Sequence, residues 1–233
     1  MKLDNRELYD LLSKEKGVDA LYHANTVATS VTFIENGGLI SRGGVVVRGL
    51  YQTPQSSDGV DMVFDVWDDV FLDVVDLHGF FPRQNIYGPV LFKFNLSLLL
   101  EDEVDVWVTK DNPIYWNDKA PSEEKYFQSV QELRETWDNY ELQKKMVTIR
   151  KPQNPILFEF LTEIVIDNPM ISLRNGTVLF DAAERSISSA VADNLKAEVL
   201  IKSRRCGFGC FCKSNYSGFD DEKLSRLFLP RRT

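Results

Sequence analysis

Cysteine and histidine are scarce in this 233-residue chain: three cysteines, all between positions 206 and 212, and two histidines, His23 and His78. An odd thiol count in a chain without a leader argues against a disulfide framework. The C-x3-C-x-C spacing of Cys206, Cys210 and Cys212 fits no common zinc pattern, and both histidines are far away in sequence. Free cysteines and no metal are therefore expected. No apolar run approaches the roughly 18 residues of a membrane span, and the opening Met1–Glu7 lacks the apolar stretch of a signal peptide. A cytoplasmic protein without a membrane partner is the expectation. Glycine-rich dinucleotide and Walker loops, H-E-x-x-H and G-x-S-x-G are all absent, which removes the common nucleotide-binding, metalloprotease and serine-hydrolase readings. Positive charge is also short: 27 Lys and Arg against 35 Asp and Glu, a net charge of −8. That balance argues against broad binding to a polyanion but leaves room for a local basic groove. Lys144, Lys145, Arg150 and Lys151 form one basic cluster; Lys202, Arg204, Arg205, Lys213 and the tail Arg231–Arg232 form another.

What is present is enough apolar material, 43% of residues, for one sizeable core. Leu8, Leu11 and Leu12 have helical spacing up to a break at Gly17, and Leu21-Tyr22-His23 reads as a short strand. Val27, Val31 and Ile34 predict a helix capped by Thr26 or Thr29 and ended by Asn36-Gly37-Gly38. The acidic stretch from Val60 to Val75 carries no clear period. Strands are expected over 89–94 and 104–109, and a helix over roughly 123–142 behind Ser122. Residues 156–166 are the most strand-like segment; short strands at 178–180 and 198–201 flank a helix over 186–196. With no repeat and no linker, residues 1–233 read as one α+β domain.

Glu163 stands out because it lies in that strongly apolar segment, where a carboxylate must face a cleft or be desolvated. Glu159, four residues earlier, falls on the same side of a continuous strand. His23, between apolar Leu21-Tyr22 and polar Asn25-Thr26, is read by itself as a structural hydrogen-bonder or a site residue.

Taken in order, these pieces resemble the DarT-type toxins, NAD⁺-using DNA ADP-ribosyltransferases, over roughly residues 20–180. The stretch from Leu21 to Thr26, the following helix and Gly37-Gly38-Leu39-Ile40 are similar to the family's start. The strands at 89–92 and 106–109, and the helix with Tyr126, Phe127, Leu133 and Trp137, follow in the family's order. The segment from Phe160 to Val165 is similar to the strand that carries the family's catalytic glutamate. Residues 196–233 lie outside the resemblance as an unassigned extension. The implied architecture is an ADP-ribosyltransferase-like fold with a central split mixed/antiparallel sheet flanked by helices.

The resemblance implies NAD⁺ as co-substrate, Glu163 as the carboxylate facing the ribosyl cation, and His23 as the residue orienting NAD⁺. Tyr22, Asn25 and Tyr51 would complete the NAD⁺ site. The family's arginine is Arg42 or Arg48, with Arg48 preferred. Tyr115, Trp116, Lys145 and Arg150 would bind a single-stranded DNA or RNA acceptor, aromatics stacking on bases and basic groups pairing with phosphates. Two departures concern the acceptor: Asn25 replaces the family's threonine, and the family's loop histidine has no counterpart around Asp111–Lys119. The resemblance further implies a toxin–antitoxin or phage-defence setting, with an antitoxin protein as partner. A protein ADP-ribosyltransferase is the alternative, disfavoured by Leu161 two residues before Glu163; a non-catalytic interaction protein on the same fold is the third reading.

Overall fold

The computed structural model describes residues 1–78, 87–101, 104–195 and 199–231. Helix α1 (Asn5–Asp10), capped by the Asp4 carboxylate, continues into a π-turn at Leu11–Glu15 and stops at Gly17, whose positive φ of 65° suits glycine. Strand β1 (Ala20–Asn25) leads through the Thr26 cap into α2 (Val27–Glu35). Short helices α3 (Arg42–Val47) and α4 (Asp58–Val63) precede β2 (Val70–Leu72). Then come β3 (Val90–Asn95), β4 (Val106–Val108), α5 (Ser122–Lys125), α6 (Val130–Thr136), β5 (Val147–Ile149) and β6 (Leu161–Asn168). The chain finishes with α7 (Leu179–Asn194), β7 (Leu200–Arg205), α8 (Phe211–Ser217) and α9 (Asp221–Phe228).

The strands form two sheets, one in the order β1-β3-β6-β7 and one in the order β2-β5-β4. All pairings are antiparallel except β6 with β7. A bridge between Tyr22 and Asp73 joins the sheets, each residue's N–H donating to the other's carbonyl at 2.9 and 2.8 Å. The split mixed/antiparallel sheet expected from the resemblance is therefore present. Residues paired across neighbouring strands share a face. Tyr22, Lys93 and Glu163 thus line one face, and His23, Phe92 and Ile164 the other. The second face is the apolar one: Phe92 and Ile164 are fully buried, and α2 and α7 pack together, with Phe33, Ile34, Ala183 and Ile187 among their buried residues.

Several sequence expectations need correction. The helix expected over 123–142 is interrupted, because Tyr126 bridges to Thr109 and Ser129 restarts the helix by accepting from Glu132 N. The strand expected over 156–166 begins only at Leu161; Leu157 is left-handed (φ 74°) and Phe158–Phe160 form a 3-10 turn. Glu159 is consequently exposed in that turn rather than aligned with Glu163 on a strand. Residues 178–180 are not a strand, since Leu179 opens α7, which starts well before residue 186. The expected strand over 198–201 is β7, from Leu200; Glu198 lies outside the described residues, as does Arg232 of the basic tail.

Candidate active site

The seam between the two sheets is held by His23. Its Nδ1–H donates to the Phe71 carbonyl at 2.8 Å, and its Nε2 accepts from the Asn25 amide at 3.0 Å. The carbonyl can only accept, which assigns the ring proton to Nδ1. Burial holds the imidazole pKa below its ordinary value, against the pull of the Phe71 bond and with help from Arg42. His23 is therefore a neutral clip between β1 and β2 that also orients Asn25.

Beside this seam opens a cleft of about 1230 Å³. It is bordered by His23 and Asn25 from the end of β1, Arg42 from α3, Asp61 from α4, Asp73 beyond β2 and Tyr115 at the rim. That volume exceeds the ~300–1,000 Å³ of ordinary small-molecule pockets, leaving room for a dinucleotide and part of an acceptor.

Arg42 opens α3, a helix capped by the Ser41 hydroxyl accepting from Gly44 N. The close approach of Asp68 and Trp67 demands glycine at the next position: a Cβ on Gly43 would fall 2.0 Å from Asp68 Oδ1. Arg42 Nη1 donates to the Thr53 carbonyl at 3.2 Å, and Nη2 lies 2.5 Å from Asp58 Oδ1. Its buried Nε has no hydrogen-bond acceptor among the described residues. A partly buried guanidinium with an unfilled Nε donor beside a cleft is suited to an anionic group. Arg48, the preferred arginine of the sequence reading, instead lies exposed with Nη2 donating to the Gln153 carbonyl at 2.9 Å, and it does not border the cleft.

Of the aspartates bordering the cleft, Asp61, Asp69 and Asp73 have pKa values raised by burial. Burial raises Asp73 to about 7, with Asp76 adding to the shift, and raises Asp61 to about 6 despite its bond to Ser57. Burial also raises Asp69 to about 6, and Arg150 only partly offsets it. Glu163 is not among the residues bordering the cleft. It sits half-buried on the opposite sheet face from His23, its Oε1 2.6 Å from Lys202 Nζ. Tyr22 shares that face, and burial raises its phenol pKa, with Asp19, Asp76 and Glu163 contributing. Ala24, two residues on from Tyr22 and on the same face, does border the cleft.

The residues proposed from sequence for the acceptor do not gather in one groove. Tyr115 is 72% exposed at the cleft rim. Trp116 packs edge-on against Phe64 and Tyr126 and donates its indole N–H to the Asp111 carbonyl at 3.0 Å. Lys145 is buried, its Nζ donating to the carbonyls of Trp137 (2.8 Å) and Tyr140. Arg150 is bound to Asp69 at 2.6 Å and lies over the Trp107 ring. Lys144 pairs with Asp111 and Lys151 with Asp65, so the basic cluster is largely neutralised by partners distant in sequence. Tyr51 lies under Arg231, away from the cleft border. Among the cleft residues that sequence reasoning did not single out are Asp61, Asp69 and Asp73. The one available signal for Asp73 is its place two residues after Phe71 at the end of an apolar strand.

No family model matches the sequence, and no curated protein matches it. Among solved structures, the chain is similar to Thermus sp. 2.9 DarT in complex with ADP-ribosylated ssDNA, with a TM-score of 0.53 and 11% identity, over 81% of this chain and 95% of that one. It is also similar to Thermosipho africanus DarTG in complex with ADP-ribose, with a TM-score of 0.48 and 10% identity, over 79% of this chain. The match spans half of the Thermosipho chain's length. The chain thus shares its fold with the Thermus DarT structure. At such identity the likeness concerns the backbone, and the site must be argued from its own residues.

Proposed function

We propose that this protein is an NAD⁺-dependent ADP-ribosyltransferase that modifies a base in single-stranded nucleic acid, with DNA as the first candidate acceptor. The observation that carries the reading is the buried Arg42 donor bordering a dinucleotide-sized cleft, on the fold of a protein whose structure holds ADP-ribosylated ssDNA. Arg42 would take the diphosphate of NAD⁺. Asn25, oriented by His23, would hydrogen-bond the ribose or carboxamide.

Loss of nicotinamide leaves positive charge on the ribose, and a fixed carboxylate beside it lowers that barrier. Glu163 is the proposed carboxylate, reached over Ala24 from the cleft, with Lys202 turning away from it in the loaded enzyme. Asp73 favours a second assignment, because it borders the cleft directly; a pKa of about 7 leaves it divided between its two forms near neutrality. Tyr115 at the rim supplies a stacking surface for an acceptor base. A toxin role restrained by an antitoxin protein belongs to the same proposal, and co-purification of a tightly bound neighbouring protein would support it.

The test is transfer of labelled ADP-ribose from NAD⁺ to single-stranded DNA, RNA and cell protein, offered separately. Label on DNA, reduced on the order of 100-fold or more in Glu163→Gln and lost in Arg42→Ala, is the expected result. Retention in Glu163→Gln with loss in Asp73→Asn moves the role to Asp73. Label on RNA or protein alone changes the acceptor, and no label from folded protein refutes the transferase reading.

A further inference from the structure

The three cysteines and the second histidine, too far apart in sequence to suggest a site, are brought together by the fold. Cys206 follows β7 directly, buried, with its N–H donating to the Asn168 carbonyl at the end of β6. The turn at Gly207-Phe208-Gly209 reverses the chain, Gly209 at a φ of 81°, so that Cys210 caps α8 and Cys212 lies in its first turn. His78, 132 residues before Cys210, comes from the segment beyond β2 and stands with its Nε2 3.5 Å from Cys210 Sγ. His78, Cys210 and Cys212 form one group whose ligand atoms all lie within 4.8 Å of one another, and His78, Asp167 and Cys206 form a second group within the same limit. None of the three thiols is in a disulfide.

The spacing fits a shared metal ion. With Zn–S near 2.3 Å and Zn–N near 2.0–2.1 Å, a tetrahedral ion places its sulfur and nitrogen ligands about 3.6 Å apart. The 3.5 Å between Cys210 and His78 agrees with that value.

The far side of the imidazole carries the second argument. His78 Nδ1 lies 3.0 Å from Asp167 Oδ1, a close contact without straight hydrogen-bond geometry. Asp167 is fully buried and is itself held by Arg204 Nε at 2.9 Å and the Tyr216 hydroxyl at 3.1 Å. A carboxylate behind a histidine whose other nitrogen faces thiols is the arrangement that orients a zinc-bound histidine and raises its basicity.

We propose that His78 Nε2 and the thiolates of Cys210 and Cys212 bind one zinc ion, with Cys206, from the neighbouring group around His78 and Asp167, turning in as the fourth ligand of a closed structural site. Three sulfurs and one imidazole fill a tetrahedral zinc and leave no open position for catalysis. Binding displaces the thiol protons, so metal affinity falls in acid. The ion would tie the segment beyond β2 to the β7–α8 turn, across the end of the strand that carries Glu163. This inference is independent of what the cleft transfers.

The test is elemental analysis of the full chain purified without chelator, together with Co²⁺ substitution. One zinc per chain is expected, with tetrahedral thiolate–cobalt absorption after exchange. The three cysteines should resist a thiol reagent until a chelator strips the ion. Cys210→Ser should lose the metal, and Asp167→Asn should weaken it about 10–100-fold. Because a cysteine variant can fail to fold, the wild-type measurements decide. Folded chain from zinc-supplemented cells that carries no stoichiometric metal and gives no thiolate–cobalt band overturns the proposal. Chelator-independent thiol reactivity overturns it as well.

Discussion

Replacing Arg150 by methionine should cost stability in a pH-dependent way, because its side chain neutralises the fully buried carboxylate of Asp69. The guanidinium reaches Asp69 Oδ2 at 2.6 Å and the Tyr126 hydroxyl at 3.1 Å, and it lies 5.1 Å from the Trp107 ring centre. Removing one partner of a buried ion pair typically costs about 3–5 kcal/mol, because the other charge is left without compensation. For a domain of this size that corresponds to a fall in Tm of roughly 6–20 °C.

The loss has a limit, since Asp69 can take up a proton. Its folded-state pKa is already raised from 3.8 to about 6. A raised acid contributes stability that is full below its unfolded value and is lost as pH rises through its folded value. In the wild type that window runs from about pH 4 to about pH 6. Without Arg150 the folded pKa moves higher still, at about 1.4 kcal/mol for each unit. Arg150→Met should therefore be most damaging near pH 8 and markedly less so near pH 5. Urea unfolding followed by tryptophan fluorescence at both pH values gives the comparison. The double variant Asp69→Asn/Arg150→Met should recover part of the loss at pH 8, since no buried charge then remains at that site. A single variant within about 0.5 kcal/mol of wild type, the range of ordinary surface substitutions, would refute the reasoning. So would a loss equal at both pH values.

The two candidate arginines should separate cleanly. Arg42→Ala should abolish NAD⁺ binding measured by calorimetry, whereas Arg48→Ala, which removes only an exposed bond to the Gln153 carbonyl, should leave it within about twofold, as a surface contact allows. Asp73 is held near 7 by burial, so it lowers stability as pH rises from about 4 through 7. The urea midpoint of Asp73→Asn should accordingly depend less on pH than that of wild type between pH 5 and 8. Lys145→Met removes a buried ammonium that serves two carbonyls. A loss of about 1–3 kcal/mol is expected from the unsatisfied acceptors, with nucleic-acid binding unchanged in a gel-shift titration. Weakened binding with intact stability would restore Lys145 as an acceptor contact.

Features that depend on neighbours along the chain are legible in the residues alone. The Thr26 cap, the apolar spacing of Val27, Val31 and Ile34, and the stop at Gly37 specify α2, because capping and helical period act within a few residues. The composition of residues 89–94 and the alternation at 104–109 likewise specify β3 and β4. The order of these pieces was enough for the resemblance, and the fold agrees with it. Tertiary structure alone decided where the charges go. Lys144, Arg150 and Lys151 form a basic run in sequence, yet each is paired with an aspartate more than a few residues away, because electrostatic pairing depends on distance in space. Strand period says that His23 and Tyr22 face opposite ways, but only the register across β1, β3 and β6 puts Glu163 beside Tyr22 rather than His23. Arg42 and Arg48 stand at opposite ends of one short helix, and only folding puts Arg42 at the cleft border and Arg48 away from it. The approach of His78 to the thiols spans 132 residues, a contact that only chain folding around Asp167 could create.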